Sequence, residues 1–276
     1  MKNLFDKLQN LDRRIIYVIV LLAVAIPMIN PIGIPISISP LTTAIYDIAN
    51  KLQPGDKVLF SLDYSPGGSP DVHPQAVAMM NHLMSRGVQV VMVSFWAAGP
   101  MYGEQLMAPY PKSDKVYGTD FTNLGYIPGS ENAIRNFGFD VNIVKSDFRG
   151  GPVASQPIMA GLKDCRDFAL VIDFISGTPG IAEWIRQVQG PLDIKLAVGT
   201  VTVNVPTTMP FFQSGQIVGM LQGLRGAAEY EILMGKRGKA VAAMDGQSLG
   251  HMAIIAFILV GNVAYFLAGG KKKKAA

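Results

Sequence analysis

The chain has 276 residues, of which 49% are hydrophobic and only 16% are charged, whereas soluble domains carry about 25% charged residues. This balance excludes a disordered chain and is typical of one globular domain combined with membrane segments. The net charge is +4, but residues 1–14 carry +2 and Lys271–Lys274 carry +4, so the chain between them must carry about −2. A basic surface groove is not indicated, and we expect no nucleic-acid partner.

The first element is an uncharged apolar run, Ile15–Ile29, whose apolar character continues to residue 38. A basic start and this length fit either an uncleaved membrane anchor or a cleaved signal peptide. No small-residue cleavage pattern follows, and several prolines crowd the region where cleavage would occur. We therefore predict a transmembrane signal anchor over residues 15–38, preceded by a cytoplasmic basic N-terminus over residues 1–14.

Short apolar runs alternate with amphipathic stretches between residues 39 and 248. The predicted strands cover residues 57–63, 88–95, 140–144, 167–174 and 193–203. The predicted helices cover residues 42–52, 75–86, 101–107, 131–137 and 181–188. A long excursion rich in Gly, Pro and Tyr interrupts the pattern after the second strand. The alternation predicts a doubly wound, mainly parallel, Rossmann-like α/β sheet.

The last helix of this domain is predicted over Gln213–Met234. Gly215, Gly219 and Gly223 recur every four residues and would share one face of such a helix. Glycine costs about 1 kcal/mol of helix stability relative to alanine, so three in register indicate close approach of another backbone. That neighbour is either the domain's own sheet or a second copy of the chain.

The second long apolar run, Leu249–Ala268, has no formal charge and is long enough to cross a bilayer. A buried core helix is the alternative, because His251 and Asn262 are polar. The lysines that follow favour a transmembrane helix over residues 249–268 and a cytoplasmic tail over residues 269–276. Asn262 is a candidate assembly residue, since an amide in lipid usually contacts a partner helix.

The distribution of Lys and Arg predicts the sidedness. Arg13 and Arg14 precede the first span, and four lysines follow the second, although Lys236, Arg237 and Lys239 lie before it. Both termini are therefore predicted to be cytoplasmic, with the domain at residues 39–248 outside the cell membrane.

Two loops lie where parallel sheets bind ligands, Asp63–Pro74 and Ser176–Gly180. Each is predicted to connect a strand to a helix, so backbone N–H groups and a helix dipole could hold an anion there. Caps and tight turns are the alternative, and neither loop has the spacing of a known phosphate motif. The candidate ligand-binding residues are Ser65, Gly67, Gly68, Ser176, Gly177 and Thr178.

The only acid–histidine cluster consists of Asp63, Asp71 and His73, which are the candidate catalytic residues. No nucleophile elbow accompanies them. Asp63, Asp71 and Asp173 could form an oxygen site for Mg²⁺ or Ca²⁺ if the two loops converge. Isolated aspartates more often cap helices, so we predict no metal and no cofactor.

None of these motifs identifies a family of known activity. The low charge, the incomplete catalytic set and the glycine face favour a membrane-anchored binding or assembly subunit of a membrane complex. Its partners would be the lipid bilayer and further copies of the chain or other membrane subunits. Two alternatives remain: a membrane-surface hydrolase or transferase that uses the acid–histidine cluster, and a ligand-binding sensor.

Overall fold

The computed structural model describes residues 12–110 and 114–267. The chain divides into two compact units, one formed by Ile36–Lys236 and the other by Met1–Pro35 with Arg237–Ala276. Residues 1–11 of the predicted basic N-terminus and the predicted Lys-rich tail, 269–276, lie outside the described residues.

The Ile36–Lys236 unit contains a six-stranded parallel sheet. Its strands are β1 (Lys57–Asp63), β2 (Gln89–Ser94), β3 (Phe121–Tyr126), β4 (Leu170–Ile175), β5 (Leu196–Thr200) and β6 (Met220–Gln222), in the order β3-β2-β1-β4-β5-β6. The central strands β1 and β4 are almost entirely buried, as their continuous apolar sequences require in a sheet covered on both faces. The predicted α/β architecture with a mainly parallel sheet is confirmed.

Helices of the Ile36–Lys236 unit cover both faces of its sheet. In chain order the helices are α1 (Arg13–Ile29), α2 (Pro40–Lys51), α3 (Ser69–Ser85), α4 (Gly99–Met107), α5 (Ser130–Phe139), α6 (Ile181–Trp184), α7 (Gly190–Leu192), α8 (Val205–Gln213), α9 (Gly223–Leu233) and α10 (Lys239–Leu267). A π-helical turn, Ile185–Gln189, connects α6 to α7. Apolar side chains of α2, α3, α4 and α9 form the core on one face, and those of α5 and α6 pack on the other.

The predicted helix over Gln213–Met234 is wrong, because this segment contains the end of α8, the strand β6 and the helix α9. Gly215 and Gly223 have φ angles of +77° and +54°, a left-handed backbone that interrupts a right-handed helix. Gly219 lies beside α2, where an added Cβ would come within 2.5 Å of the Ile45 side chain. The three glycines therefore do not share a helix face.

Three further elements differ from the prediction. Helix α3 begins at Ser69 rather than at residue 75, because Pro70 suits a first helical turn, where its missing N–H costs no hydrogen bond. The predicted strand at residues 140–144 is a 3₁₀ turn, Val141–Ile143. Strand β3 lies inside the predicted excursion, where its buried apolar positions pair with β2.

In the other unit, α1 and α10 pack against each other at two glycines of α10. A Cβ on Gly246 would lie 3.0 Å from the Val24 carbonyl oxygen, and one on Gly250 would lie 3.1 Å from Val24 Cγ2. Residues four apart lie on one helix face, and small side chains there allow two helices to approach closely.

The segment after α1 is irregular, since α1 ends at Ile29 and not at residue 38. Asp245 of α10 holds this segment: its buried carboxylate accepts hydrogen bonds from the backbone N–H groups of Gly33 (2.7 Å) and Ile34 (2.9 Å). A buried carboxylate with two such partners stabilises the turn away from the helix.

Among the described residues, one helix is long and apolar enough to cross a membrane, Lys239–Phe266 within α10, and it is mostly exposed. Length and composition are weak evidence alone, because core helices and signal sequences share them. This helix starts before the predicted boundary at residue 249. Helix α1 has 17 residues, and the predicted first span and two-pass topology are not confirmed.

Candidate functional site

The loops that follow β1 and β4 meet at the carboxyl edge of the sheet. The Ser65 backbone N–H donates to Ser176 Oγ over 2.8 Å, and the Ser176 hydroxyl donates to Ser65 Oγ over 3.2 Å. A side chain on Gly68 would collide with Ser176, so glycine allows this approach. The strand order reverses between β1 and β4, the point at which open parallel sheets bind ligands.

Two cavities flank the loop between β4 and α6. The first has a volume of about 440 Å³, and its walls include Ser65, Gly67, Gly68, Asp71, Ser176 and Val201. The second has a volume of about 370 Å³, and its walls include Gly177, Thr178, Glu183, Asn204, Thr207 and Phe211. Each of the six candidate ligand-binding residues thus lines one of the two cavities.

The charged side chains that line these cavities are carboxylates. Asp71 lines the first and Glu183 the second, and no Lys or Arg lines either cavity within the described part of the chain. Arg186 pairs with Glu183 over 2.9 Å from outside the cavity. The electrostatic potential of the walls therefore disfavours an anionic ligand.

Three backbone N–H groups of these two loops have partners within the protein. Gly68 and Ser69 both donate to the Ser65 carbonyl oxygen over 3.0 Å. Gly180 donates to the Glu183 carboxylate over 2.9 Å at the start of α6. The anion cradle that the two loops suggested is used by these internal contacts, as the turn-and-cap alternative predicts.

Two of the candidate catalytic residues, Asp71 and His73, lie in α3. Asp71 Oδ2 accepts hydrogen bonds from the N–H and the hydroxyl of Thr202, each 3.1 Å long. His73 Nδ1 lies 2.8 Å from the Tyr64 hydroxyl, and its ring packs against Tyr102 with centroids 5.6 Å apart. Both side chains thus make contacts that connect α3 to its neighbours.

The third candidate, Asp63, ends β1 and is fully buried. Its Oδ1 accepts hydrogen bonds from the Phe95 N–H (2.5 Å) and the Ser94 hydroxyl (3.3 Å), and its Oδ2 accepts from the Ser61 hydroxyl. Burial raises the pKa of Asp63 to about 6, although these hydrogen bonds oppose the rise. Without exposed surface, this carboxyl group cannot contact a substrate in this conformation.

Asp173 on β4 faces Asp63. Ser61 is its register partner, so Ser61, Asp63 and Asp173 project from one face of the sheet. Asp173 is fully buried, and among the described residues neither of its carboxyl oxygens has a hydrogen-bond donor. Burial first, and then the Asp63 charge, raise the pKa of Asp173 well above its usual range.

A metal site does not form from these carboxylates. Within residues 12–110 and 114–267, no group of three or more His, Cys, Asp and Glu side chains could hold a metal ion. The possible oxygen site of Asp63, Asp71 and Asp173 is not assembled, because Asp71 bonds to Thr202 while the other two are buried within the sheet.

The sequence analysis missed Gln75, a fully buried polar residue of α3. Its buried amide nitrogen lies within hydrogen-bond distance of the carbonyl oxygens of Asp71 (3.0 Å), Thr200 (3.0 Å) and Gly223 (2.9 Å), which share its two N–H donors. One signal was available: Gln75 is a polar residue on an apolar helix face, as Asp173 is within an apolar strand. A polar side chain in a buried position needs a partner.

The assembly candidates are dispersed. Gly215, Gly219 and Gly223 lie before, at the edge of and after β6, whereas Asn262 lies on α10 with its side chain exposed. Comparison with protein-family models, with curated proteins and with solved structures finds no significant match for this chain.

Proposed function

We propose that this chain is a membrane-anchored α/β domain that binds an uncharged polar ligand in the crevice between β1 and β4, as the binding subunit of a membrane assembly. The observation that carries the proposal is the Ser65–Ser176 contact, which brings two loops together beside cavities of about 440 and 370 Å³. These volumes are within the range of small-molecule sites.

The chemistry of the walls supports an uncharged ligand. Hydroxyl groups of Ser65, Ser176, Thr178 and Thr207 line the two cavities together with small apolar surfaces. Hydroxyls both donate and accept hydrogen bonds, and carboxylates accept them, so this set suits the hydroxyl groups of a sugar or polyol. A phosphate would meet acidic walls without a compensating cation.

Exposed apolar side chains support the membrane anchor. Large hydrophobic residues are exposed along both α1 and α10. Exposure of so much apolar surface to water is unfavourable. They include Tyr17, Leu21 and Met28 on α1 and Ile255, Leu259 and Phe266 on α10. In this proposal both helices cross the bilayer, both termini are cytoplasmic and the sheet domain lies outside.

Self-association through α10 is part of the same proposal. The exposed Asn262 amide is surrounded by exposed apolar side chains. A carboxamide both donates and accepts, so two copies related by a twofold axis can pair their amides. In detergent, Asn262→Leu should lower the proportion of crosslinked dimer, whereas Thr202→Leu in the sheet domain serves as a control for general damage; an unchanged dimer in Asn262→Leu would contradict this part.

The enzyme alternative has less support. Catalysis by Asp63, Asp71 and His73 requires a shared reaction centre, but these residues face separate partners, and Asp63 is buried. If the His73→Ala variant folded normally but lost enzymatic turnover, that result would support the enzyme alternative.

Ligand binding can be tested by thermal unfolding of the purified full chain in detergent. We expect uncharged sugars or polyols to raise the melting temperature, and the corresponding phosphate esters to have no effect. Ser176→Ala should abolish the shift, because it removes the hydroxyl that joins the two loops, whereas Ser155→Ala, at an exposed turn, should retain it. Stabilisation by the phosphate esters alone would overturn the proposed ligand class.

A further inference from the structure

The two buried carboxyl groups beneath the crevice differ in their surroundings. Asp63 accepts hydrogen bonds from Ser61, Ser94 and Phe95, which stabilise a negative charge. Asp173 lacks such donors within the described residues, and two buried carboxyl groups on one face of neighbouring strands favour a state in which one of them carries a proton. The asymmetry places the charge on Asp63 and the proton on Asp173.

We propose that Asp63 and Asp173 share one proton and act as a pH-sensitive latch that holds the ends of β1 and β4 together beneath the crevice. With the proton present, one hydrogen bond joins the strands. Loss of the proton leaves two adjacent, fully buried negative charges, which repel each other and lose solvation.

The groups around the pair do not relieve this repulsion. Ser61 lies on β1, Ser94 and Phe95 belong to β2 and its end, and the charged neighbour from α6 is Glu183, another carboxylate. The electrostatic effects on the Asp173 carboxyl come from Asp63 and Glu183, and both favour its protonated form.

The pair is linked to the crevice through the backbone. The Ser176 N–H donates to the Asp63 carbonyl oxygen over 3.3 Å, and Ser176 Oγ accepts from the Ser65 N–H. Separation of the ends of β1 and β4 would lengthen both hydrogen bonds. The latch depends on the acid pair alone, whether or not the crevice binds a ligand.

The direction of the pH effect follows from proton linkage. Burial raises the pKa of Asp63 to about 6 and holds the pKa of Asp173 well above its usual range, whereas an unfolded aspartate has a pKa of about 4. Between these values the folded chain holds protons that the unfolded chain has lost. Stability is therefore lost as pH rises through the folded values, and the latch opens on the alkaline side.

Hydrogen exchange of the full chain in detergent tests the latch. After correction for intrinsic exchange, we expect protection of the Ser65 amide to fall by up to about tenfold per pH unit from about pH 6, where Asp63 ionises, to the higher titration of Asp173, and to level off above it. Asp173→Asn should abolish this fall, because an amide at this position donates to Asp63 as the protonated acid does and cannot ionise. Asp193→Asn, at an exposed turn, is the matched control and should behave as the wild type.

A second measurement covers the case in which Asp173→Asn does not fold. Carboxyl ¹³C chemical shifts of the wild-type chain at pH 7 should show one protonated member of the pair. Two ionised carboxylates, with or without added Mg²⁺ or Ca²⁺, would overturn the latch. An Asp173→Asn chain that folds but retains the wild-type pH dependence would overturn it as well.

Discussion

The Gln75 side chain shows how one buried residue can hold several elements in place. Its amide nitrogen is the donor to carbonyl oxygens in α3, at the end of β5 and at the start of α9. Gln75→Leu keeps the approximate volume but removes both N–H donors that these three carbonyl oxygens share. At roughly 1 kcal/mol for each N–H donor, the free energy of unfolding should fall by about 2 kcal/mol.

This change should appear as a lower melting temperature of the purified full chain. Gln53→Leu is the control, because Gln53 is exposed and its amide contacts a single carbonyl oxygen. The control should shift stability by less than about 0.5 kcal/mol. Equal effects of the two substitutions would contradict a bracing role for Gln75.

His82 is a second buried polar residue, and it responds to acid. Its Nδ1 lies 2.8 Å from the Tyr230 hydroxyl, and its ring stacks on Tyr46. Burial chiefly, with the nearby charges of Arg86 and Lys236, lowers the pKa of His82 to about 4. In the unfolded chain the pKa of a histidine is about 6.5. Between that pKa and the lower folded one, the unfolded chain binds a proton that the folded chain does not bind, so stability falls as pH falls.

His82→Gln should remove this acid sensitivity while an amide can still reach Tyr230. In the same pH range the Asp63–Asp173 pair acts in the opposite direction, since its folded form holds extra protons. The pH of maximum stability should therefore move downward in the variant, as measured by melting temperature from pH 4 to 8. An unchanged maximum would show that His82 does not titrate between these states.

At the scale of single residues, sequence pattern predicted positions better than partners. Asp63 was expected at a strand end and lies there, and six candidate residues line the two cavities. The neighbour of Asp63 was not predictable, because Asp173 is distant in the chain and faces it only through the β1–β4 register. Asp71 and His73 were misplaced in a loop because α3 contains Pro70 in its first turn and Pro74 just after it.

Among the elements, the α1–α10 pair offers the sharpest test. Gly246 faces the Val24 carbonyl oxygen, whereas an added Cβ on Gly261 of the same helix would meet no atom within 4 Å. Gly246→Leu should push the helices apart, and Gly261→Leu should leave them paired. Both substitutions have the same intrinsic effect on helix formation, so the comparison isolates packing.

The pairing can be measured with cysteines at Val24 and Gly250, which are in contact range. The native Cys165 is buried, so the introduced pair should dominate oxidation. We expect an intramolecular disulfide in the Gly261→Leu background and a marked loss of it in the Gly246→Leu background. Equal yields would show that α1 and α10 do not pack at this glycine.

Elements with a local sequence signal were predicted, and those defined by distant contacts were not. The apolar runs of β1, β2, β4 and β5 identified four strands, because burial on both faces demands continuous apolar sequence. The segment around β6 was predicted as a helix because its glycines recur every four residues, as they would on one helix face. The strand itself has only three residues, which pair with β5. Strand β3 has six residues, as β2 and β4 do, but it includes Asn123 and Gly125 and lies in a region rich in Gly and Tyr, so it lacks their continuous apolar run.

For the whole molecule, the proposed sidedness predicts which part of the chain meets external protease. With a protease site inserted at the exposed turn beside Gly150, intact cells should show cleavage at that turn. Inverted membrane vesicles should protect the same site, because the domain would then lie in the lumen. The reverse pattern would contradict the sidedness derived from the Lys and Arg distribution.

Attachment to the membrane is a separate expectation for the whole chain. The exposed apolar surfaces of α1 and α10 should keep the protein in the membrane fraction after an alkaline wash, and detergent should release it. Recovery in the soluble fraction without detergent would contradict the anchor, whatever the sidedness.

The amino-acid sequence by itself determined the alternation of strands and helices and the apolar character of both terminal segments. These properties depend on residues close together in the chain, where periodicity and local composition are sufficient. Tertiary structure alone decided the strand order and the hydrogen bond between Ser65 and Ser176. It also decided that Asp63 lies near Asp173 and that Gly246 packs against Val24. Each of these depends on which distant segments become neighbours, and that follows from register and packing across the whole fold.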